Sequence, residues 1–209
     1  MRERFMGQLA LLHGQLTDMG KLCEEAIGAS MRTLAGEKAA AAQTAELEQR
    51  IDRAEDAIQS LCLQILLRQQ PVAGDLRTVS AALKMISDLE RIGDQAADIA
   101  DIARALPPDL PRNVTHLREM ASAASKMVTD SVEAFVRQDA ELARRTQRED
   151  DRVDALFDEV KTELAAWIAH DPTEASQCLE LLMVAKYLER IGDHAVNVAQ
   201  WVEYALFRR

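Results

Sequence analysis

The sequence predicts an all-α protein made of two tandem, internally repeated three-helix bundles, six long helices in all, and three observations carry that prediction. Thirty-four alanines and twenty-five leucines stand against eight glycines, five prolines and eight aromatic residues. This mix favours helix formers and leaves a sheet without its usual β-branched and aromatic filling. Prolines and glycines punctuate the chain at a few places only, and the stretches between them carry apolar residues at 3,4 spacing. Finally, Leu89-Glu90-Arg91-Ile92-Gly93-Asp94 returns unchanged as Leu188-Glu189-Arg190-Ile191-Gly192-Asp193, ninety-nine residues later.

Taken in order, the breaks fall at Gly36, at Pro71 with Gly74, at Pro107-Pro108 with Pro111, and at Pro172. They delimit helices near 1–35, 38–70, 75–106, 112–137, 139–169 and 172–207. Asp171-Pro172-Thr173-Glu174 orders an N-cap carboxylate, a first-turn proline and a capping-box glutamate, and Asp75 and Asp139 are placed to cap their helices in the same way. At ~1.5 Å per residue most of these helices run roughly 40 to 50 Å, the proportions of an elongated bundle.

The repeat extends beyond its identical core. Gln95-Ala96-Ala97-Asp98-Ile99-Ala100 matches His194-Ala195-Val196-Asn197-Val198-Ala199 in size and polarity, and Glu48-Gln49-Arg50-Ile51-Asp52 resembles Asp150-Asp151-Arg152-Val153-Asp154 at an offset of 102. The three extra residues of the first half belong most simply in the Pro71 to Asp75 loop. Two domains follow, 1–106 and 107–209, with the chain passing between them near Pro107 to Pro111; a repeat this long is a duplicated domain and not a solenoid period.

Thirty-five acidic against twenty-five basic residues give a formal charge of −10. Without a local basic patch, that charge repels nucleic acid and an anionic membrane surface. Cys23, Cys62 and Cys178 are odd in number and widely spaced inside helical patterns, so they read as small buried residues in a reducing compartment. No apolar region of signal-peptide type follows Met1-Arg2-Glu3-Arg4, and no uncharged stretch, Ala57 to Leu67 included, reaches the ~18 residues of a membrane span. A cytoplasmic protein is expected.

On a helical wheel the sixth helix presents a seam of Leu181, Val184, Leu188, Ile191, Ala195, Val198 and Val202. The third repeats it with Ala82, Met85, Leu89, Ile92, Ala96, Ile99 and Ala103, and the second supplies Leu47, Ile51, Ala54, Ile58, Leu61 and Ile65. These are packing positions. Carboxylates sit just beside them: Glu48 with Asp52, Glu90 with Asp94, Asp150 with Asp154, and Glu189 with Asp193, each pair one helical turn apart. A like-charged i,i+4 pair costs an isolated helix roughly 0.2 to 0.5 kcal/mol, and two pairs brought together across a groove demand raised pKa values or a counter-cation.

Carboxylate oxygens suit hard or borderline cations such as Mg²⁺, Mn²⁺ and iron. The alternative is a solvated face whose carboxylates pair with Arg50, Arg53, Arg91, Arg152 and Arg190. A carboxylate-bridged metal enzyme or metal-storage bundle would carry Glu-x-x-His, whereas positions 93 and 192 are glycines; no nucleotide, acyl-transfer or triad motif is present. Each glycine costs roughly 1 kcal/mol mid-helix, which points to a close approach by another backbone or a liganded ion. His194, about 100° around the helix from Asp193, reads as a surface residue. His13, His116 and His170 show no ligand spacing. Trp167, Trp201 and Tyr204 read as core and bundle-end packing.

The two Leu-Glu-Arg-Ile-Gly-Asp segments, Gln70-Pro71-Val72-Ala73-Gly74-Asp75-Leu76-Arg77, and Glu189 to Ala195 with Asn197 resemble the PhoU family of phosphate-uptake regulators over essentially the whole chain. The resemblance implies a non-enzymatic regulator that binds metal clusters through paired carboxylates. Residue by residue these are Glu48, Asp52, Glu90 and Asp94 in the first bundle, and Asp150, Asp154, Glu189 and Asp193 in the second. Asp98 and Asn197 extend the line by a turn, with Asp98 standing where the family more usually has asparagine. The implied cofactor is a divalent or multinuclear metal, with iron, manganese, magnesium and zinc all admitted. The implied partners are a phosphate ABC transporter ATPase and a phosphate-sensing histidine kinase, with membrane attachment through those partners only, and the implied assembly is a homodimer.

Overall fold

Apolar 3,4 spacing becomes six helices where the sequence places them. In this computed structural model, which describes residues 2–69, 71, 73–107 and 115–206, they are α1 (Arg2–Leu34), α2 (Ala40–Gln69), α3 (Gly74–Ala105), α4 (Thr115–Arg137), α5 (Ala140–His170) and α6 (Ala175–Leu206). A single 3₁₀ turn, Pro172–Glu174, precedes α6. Helices α1, α2 and α3 pack on one another, as do α4, α5 and α6. The expected passage near Pro107 to Pro111 lies, beyond Pro107, outside the described residues.

Every member of the α3 and α6 seams is buried, as are the α2 positions except Ala54, which is half-buried. The two bundles are not insulated from each other. α3 lies along α6 in the most extensive contact of the molecule, and α1 lies along α4, so that one continuous apolar core runs through both halves. Contacts between Asp88 and Asn197 and between Asp98 and Tyr187 show that α3 and α6 run antiparallel. Cys23, Cys62 and Cys178 are free and buried; the Cys23 thiol donates to the Leu89 carbonyl, and burial pushes it and Cys62 up to about 12.

The helix ends follow local chemistry, with one departure. α1 closes with the Glu37 amide on the Arg32 carbonyl and the Gly36 amide on that of Thr33, Gly36 adopting φ 107°. This paired closure needs a left-handed residue, which glycine supplies without strain. Asp139 caps α5 by accepting from the Leu142 amide at 2.9 Å, and Asp171 accepts from the Thr173 amide at 3.0 Å. The expected Asp75 cap does not form. Ala73 holds the cap position of α3 with no side-chain hydrogen bond, and Asp75 lies inside the first turn, where its charge acts only on the helix dipole.

At the mid-helix glycines the neighbouring helix packs in close. A Cβ at Gly93 would stand 2.9 Å from Ile51 Cδ1, and one at Gly192 would stand 3.2 Å from Asp150 Oδ1 and 3.5 Å from Val153 Cγ1. The approaching groups are side chains of α2 and α5, not backbone. Since Ile51 and Val153 correspond in the repeat, both bundles use one crossing. Gly93→Leu and Gly192→Leu should each destabilise the protein by about 2 kcal/mol, the range of core overpacking, as read by chemical denaturation. Unchanged stability in both would show that the helices do not meet there.

Candidate functional site: two acidic grooves

Because Ile51 and Val153 seat on the glycines, the carboxylates one turn apart beside them face the repeated motif across each groove. In the first groove burial raises the Glu48 pKa, with Asp52, Asp94, Asp101 and Asp98 adding to it. Glu90 is raised by burial and then by Asp94, against the opposing charge of Arg91, with Glu55 and Asp52 contributing. In the second, Asp150 is pushed from 3.8 up to about 6 by burial and by Asp154, Asp193, Glu189 and Asp151. Asp193 is raised by burial and Glu189, offset in part by Lys186. Each groove therefore gathers the four carboxylates that the repeat assigns to it.

Cations compensate these charges only in part. Arg91 pairs with Asp94 at 2.9 Å and Glu90 at 3.4 Å on its own helix, and Lys186 lies against Glu189. Among the described residues, Glu48, Asp52, Asp150, Asp154 and Asp193 have no ion pair. Asp150 Oδ1 is buried without a hydrogen-bond partner, in the hollow that the missing side chain of Gly192 leaves open. An orphaned anionic oxygen of this kind is costly and calls for a donor or a cation. Yet among the described residues no three Asp, Glu, His or Cys side chains converge on a single point. The carboxylates line grooves. Their donor set, oxygen throughout, fits hard cations, and the second groove, with its orphaned oxygen, fits best.

Two of the expected residues also make contacts outside the grooves. Asp98 faces Tyr187, and Asn197 Nδ2 donates to Asp88 Oδ1 at 3.1 Å, so both also reach the α3–α6 seam. His194 is not a surface residue: it is half-buried in the same seam with Nδ1 3.0 Å from Asp88. Arg190 lies close enough to Asp98 to favour its charged form. Tyr204 is exposed and stacks edge-on against Trp201 instead of filling the core.

Three features escaped the sequence reading. Glu55 joins the first groove, accepting from Ser87 at 3.3 Å; it lies seven residues after Glu48, and that heptad spacing could have found it. Asp101, seven after Asp94, belongs with it for the same reason. His116 sits between Glu159 and Glu163, its nitrogens 2.7 and 2.6 Å from their oxygens, a grouping across α4 and α5 that no local spacing announces.

An all-helical pair of bundles sharing one core, with an acidic groove in each, defines a class of duplicated carboxylate-groove proteins. The PhoU domain profile matches this chain twice, over residues 16–103 and 117–202. The phosphate-specific transport system accessory protein PhoU homologs of Pseudomonas aeruginosa and Deinococcus radiodurans are 35% and 36% identical to it. The alignments cover 97% and 98% of this chain and 85% and 97% of those proteins. The crystal structure of PhoU from Pseudomonas aeruginosa matches with a TM-score of 0.90 at 34% identity, over 97% of this chain and 98% of that one. PhoU from Streptococcus pneumoniae shares the fold, with a TM-score of 0.87 at 24% identity over 96% of each chain. The chain belongs to the PhoU family, whose members are regulatory accessory proteins of phosphate transport and not enzymes. No helix among the described residues is long and apolar enough to cross a membrane.

The crowding of Asp150 has a pH signature. Folding raises its pKa from 3.8 to about 6, so the folded protein holds the proton more tightly than the unfolded chain. The stability this confers is complete below the unfolded value and is lost as pH rises through about 6. Asp150→Asn, neutral throughout, escapes that loss. In chelator at pH 7 it should be more stable than the parent by about 1 kcal/mol, a figure reduced from the full shift because the side chain is partly solvated. At pH 4 the two should nearly coincide. Urea denaturation at both pH values measures this, and equal stability at pH 7 would refute the crowding.

Proposed function

We propose that this chain is a cytoplasmic adaptor that holds metal in both grooves and, as a homodimer, restrains phosphate uptake and phosphate-regulon expression. It does so by binding a phosphate ABC transporter ATPase and a phosphate-sensing histidine kinase. The observation that carries the metal part is the orphaned Asp150 Oδ1 among Asp154, Glu189 and Asp193. A bound cation would supply the positive charge that Lys186 alone does not. Glu48, Asp52, Glu90 and Asp94 would hold it in the first groove, and Asp150, Asp154, Glu189 and Asp193 in the second. Iron, manganese and magnesium suit such oxygen donors best, and zinc is the softer alternative.

Family membership supports the regulatory part. The names of the Pseudomonas aeruginosa and Deinococcus radiodurans relatives place those proteins with a phosphate-specific transport system. Long helices offer broad faces for protein contact, and a net charge of −10 disfavours nucleic acid.

Glu90→Ala with Asp94→Ala should empty the first groove and leave the second loaded, so elemental analysis of the purified variant should return about half the parent's metal, as expected for two independent sites. Unchanged metal, or loss of all of it, contradicts two separate sites. A pull-down from a membrane fraction should capture the transporter ATPase and the kinase; capture of neither component contradicts the regulatory reading.

A further inference from the structure

The α3–α6 seam carries polar contacts that the grooves do not use. Asp88, on the motif helix of the first repeat, holds two residues of the second on one carboxylate oxygen: His194 Nδ1 at 3.0 Å and Asn197 Nδ2 at 3.1 Å. The Asp88 and His194 side chains are largely shielded, at 16% and 20% exposed, so water competes weakly for that bond, while Asn197 is exposed. The two contacts fall in the turn of α6 that begins at Asp193.

Helix geometry gives this placement a consequence. At 100° per residue, His194 lies about 100° and Asn197 about 40° around α6 from Asp193. Pinning both against α3 sets the azimuth of that turn and keeps Asp193 turned toward α5, where Asp150 and Asp154 stand. The restraint has something to oppose. Asp193 is crowded by Glu189 and Asp154, and rotation of the helix would relieve that repulsion. The first bundle is clamped differently. Tyr187 takes the place of Asp88 and faces Asp98, while Gln95, in the place of His194, has a buried Oε1 with no partner.

We propose that Asp88 is a positioning residue for the second acidic groove, contributed by the first repeat: through His194 and Asn197 it aims Asp193 at α5. This rests on the cation-binding reading of the groove. Asp88 acts through hydrogen bonds accepted by one oxygen, and its charge is secondary, so an asparagine in its place performs the same task while an alanine does not.

The test uses full-length protein carrying Glu90→Ala and Asp94→Ala, so that only the second groove reports, with Mn²⁺ binding followed by electron paramagnetic resonance. Adding Asp88→Ala should weaken Mn²⁺ binding about tenfold, the lower end of what outer-shell partners contribute. Adding Asp88→Asn should leave it within about twofold, because the acceptor oxygen is kept. Amide hydrogen exchange of residues 193–197 in chelator supplies a metal-free readout: Asp88→Ala should accelerate it about tenfold and Asp88→Asn should not. Equal Mn²⁺ affinity in parent and Asp88→Ala overturns the proposal, and so does an Asp88→Asn variant as weak as Asp88→Ala, which would make the role one of charge. If the parent binds no Mn²⁺ in the second groove, the cation reading fails by itself. The exchange data then decide: acceleration confined to Asp88→Ala upholds Asp88 as the residue that sets α6, and no acceleration overturns it.

Discussion

Everything distinctive about this molecule depends on how closely α2 can approach α3, and α5 can approach α6, at a glycine. Removing one Cβ lets Ile51 and Val153 seat directly on the motif helices, and their flanking carboxylates are drawn across the same gap. Apolar contact is favourable there and charge proximity is not, yet the two cannot be separated because they share a helical turn. Burial of the seams is large enough to impose the repulsion. The cost shows in the raised pKa values of Glu48, Glu90, Asp150 and Asp193, where burial first and the neighbouring carboxylates second disfavour the charged form. On the proposed reading, a bound cation relieves that cost and so shifts the balance of forces on a helical face.

Duplication adds a second layer. Because α3 and α6 are the paired motif helices and also the boundary between bundles, each groove has one wall anchored in the opposite half of the chain. The shared core joins the packing of the two bundles. The halves are related but not equivalent. The first groove has Arg91 across both of its motif carboxylates, whereas in the second Asp150 Oδ1 is buried with no hydrogen-bond partner among the described residues. Metal affinity that differs between grooves follows from that contrast, on the proposed reading.

The fold was legible because its causes are local: the 3,4 pattern at Leu181 to Val202 fixes which face of α6 is buried, and the exact return of Leu89 to Asp94 fixes the duplication. The four carboxylate pairs were legible for the same reason, since i,i+4 spacing puts both members on one face. Azimuth, however, does not name the neighbour. Asp98 and Asn197 continue the acidic line by one turn in sequence, but they sit far enough round the helix to meet α6 and α3 as well. His194 could not be placed without knowing that Asp88 stands opposite, 106 residues away. Asp75 failed as a cap because capping depends on where the first amide points, and the backbone at Ala73 set that.

The most direct test of the account is a crystal grown with Mn²⁺ and measured above and below the manganese absorption edge. The account predicts anomalous peaks in both grooves, one between Glu48, Asp52, Glu90 and Asp94 and one between Asp150, Asp154, Glu189 and Asp193, with Oδ1 of Asp150 facing the ion. Grooves without manganese, in crystals where it binds elsewhere on the protein, would contradict it.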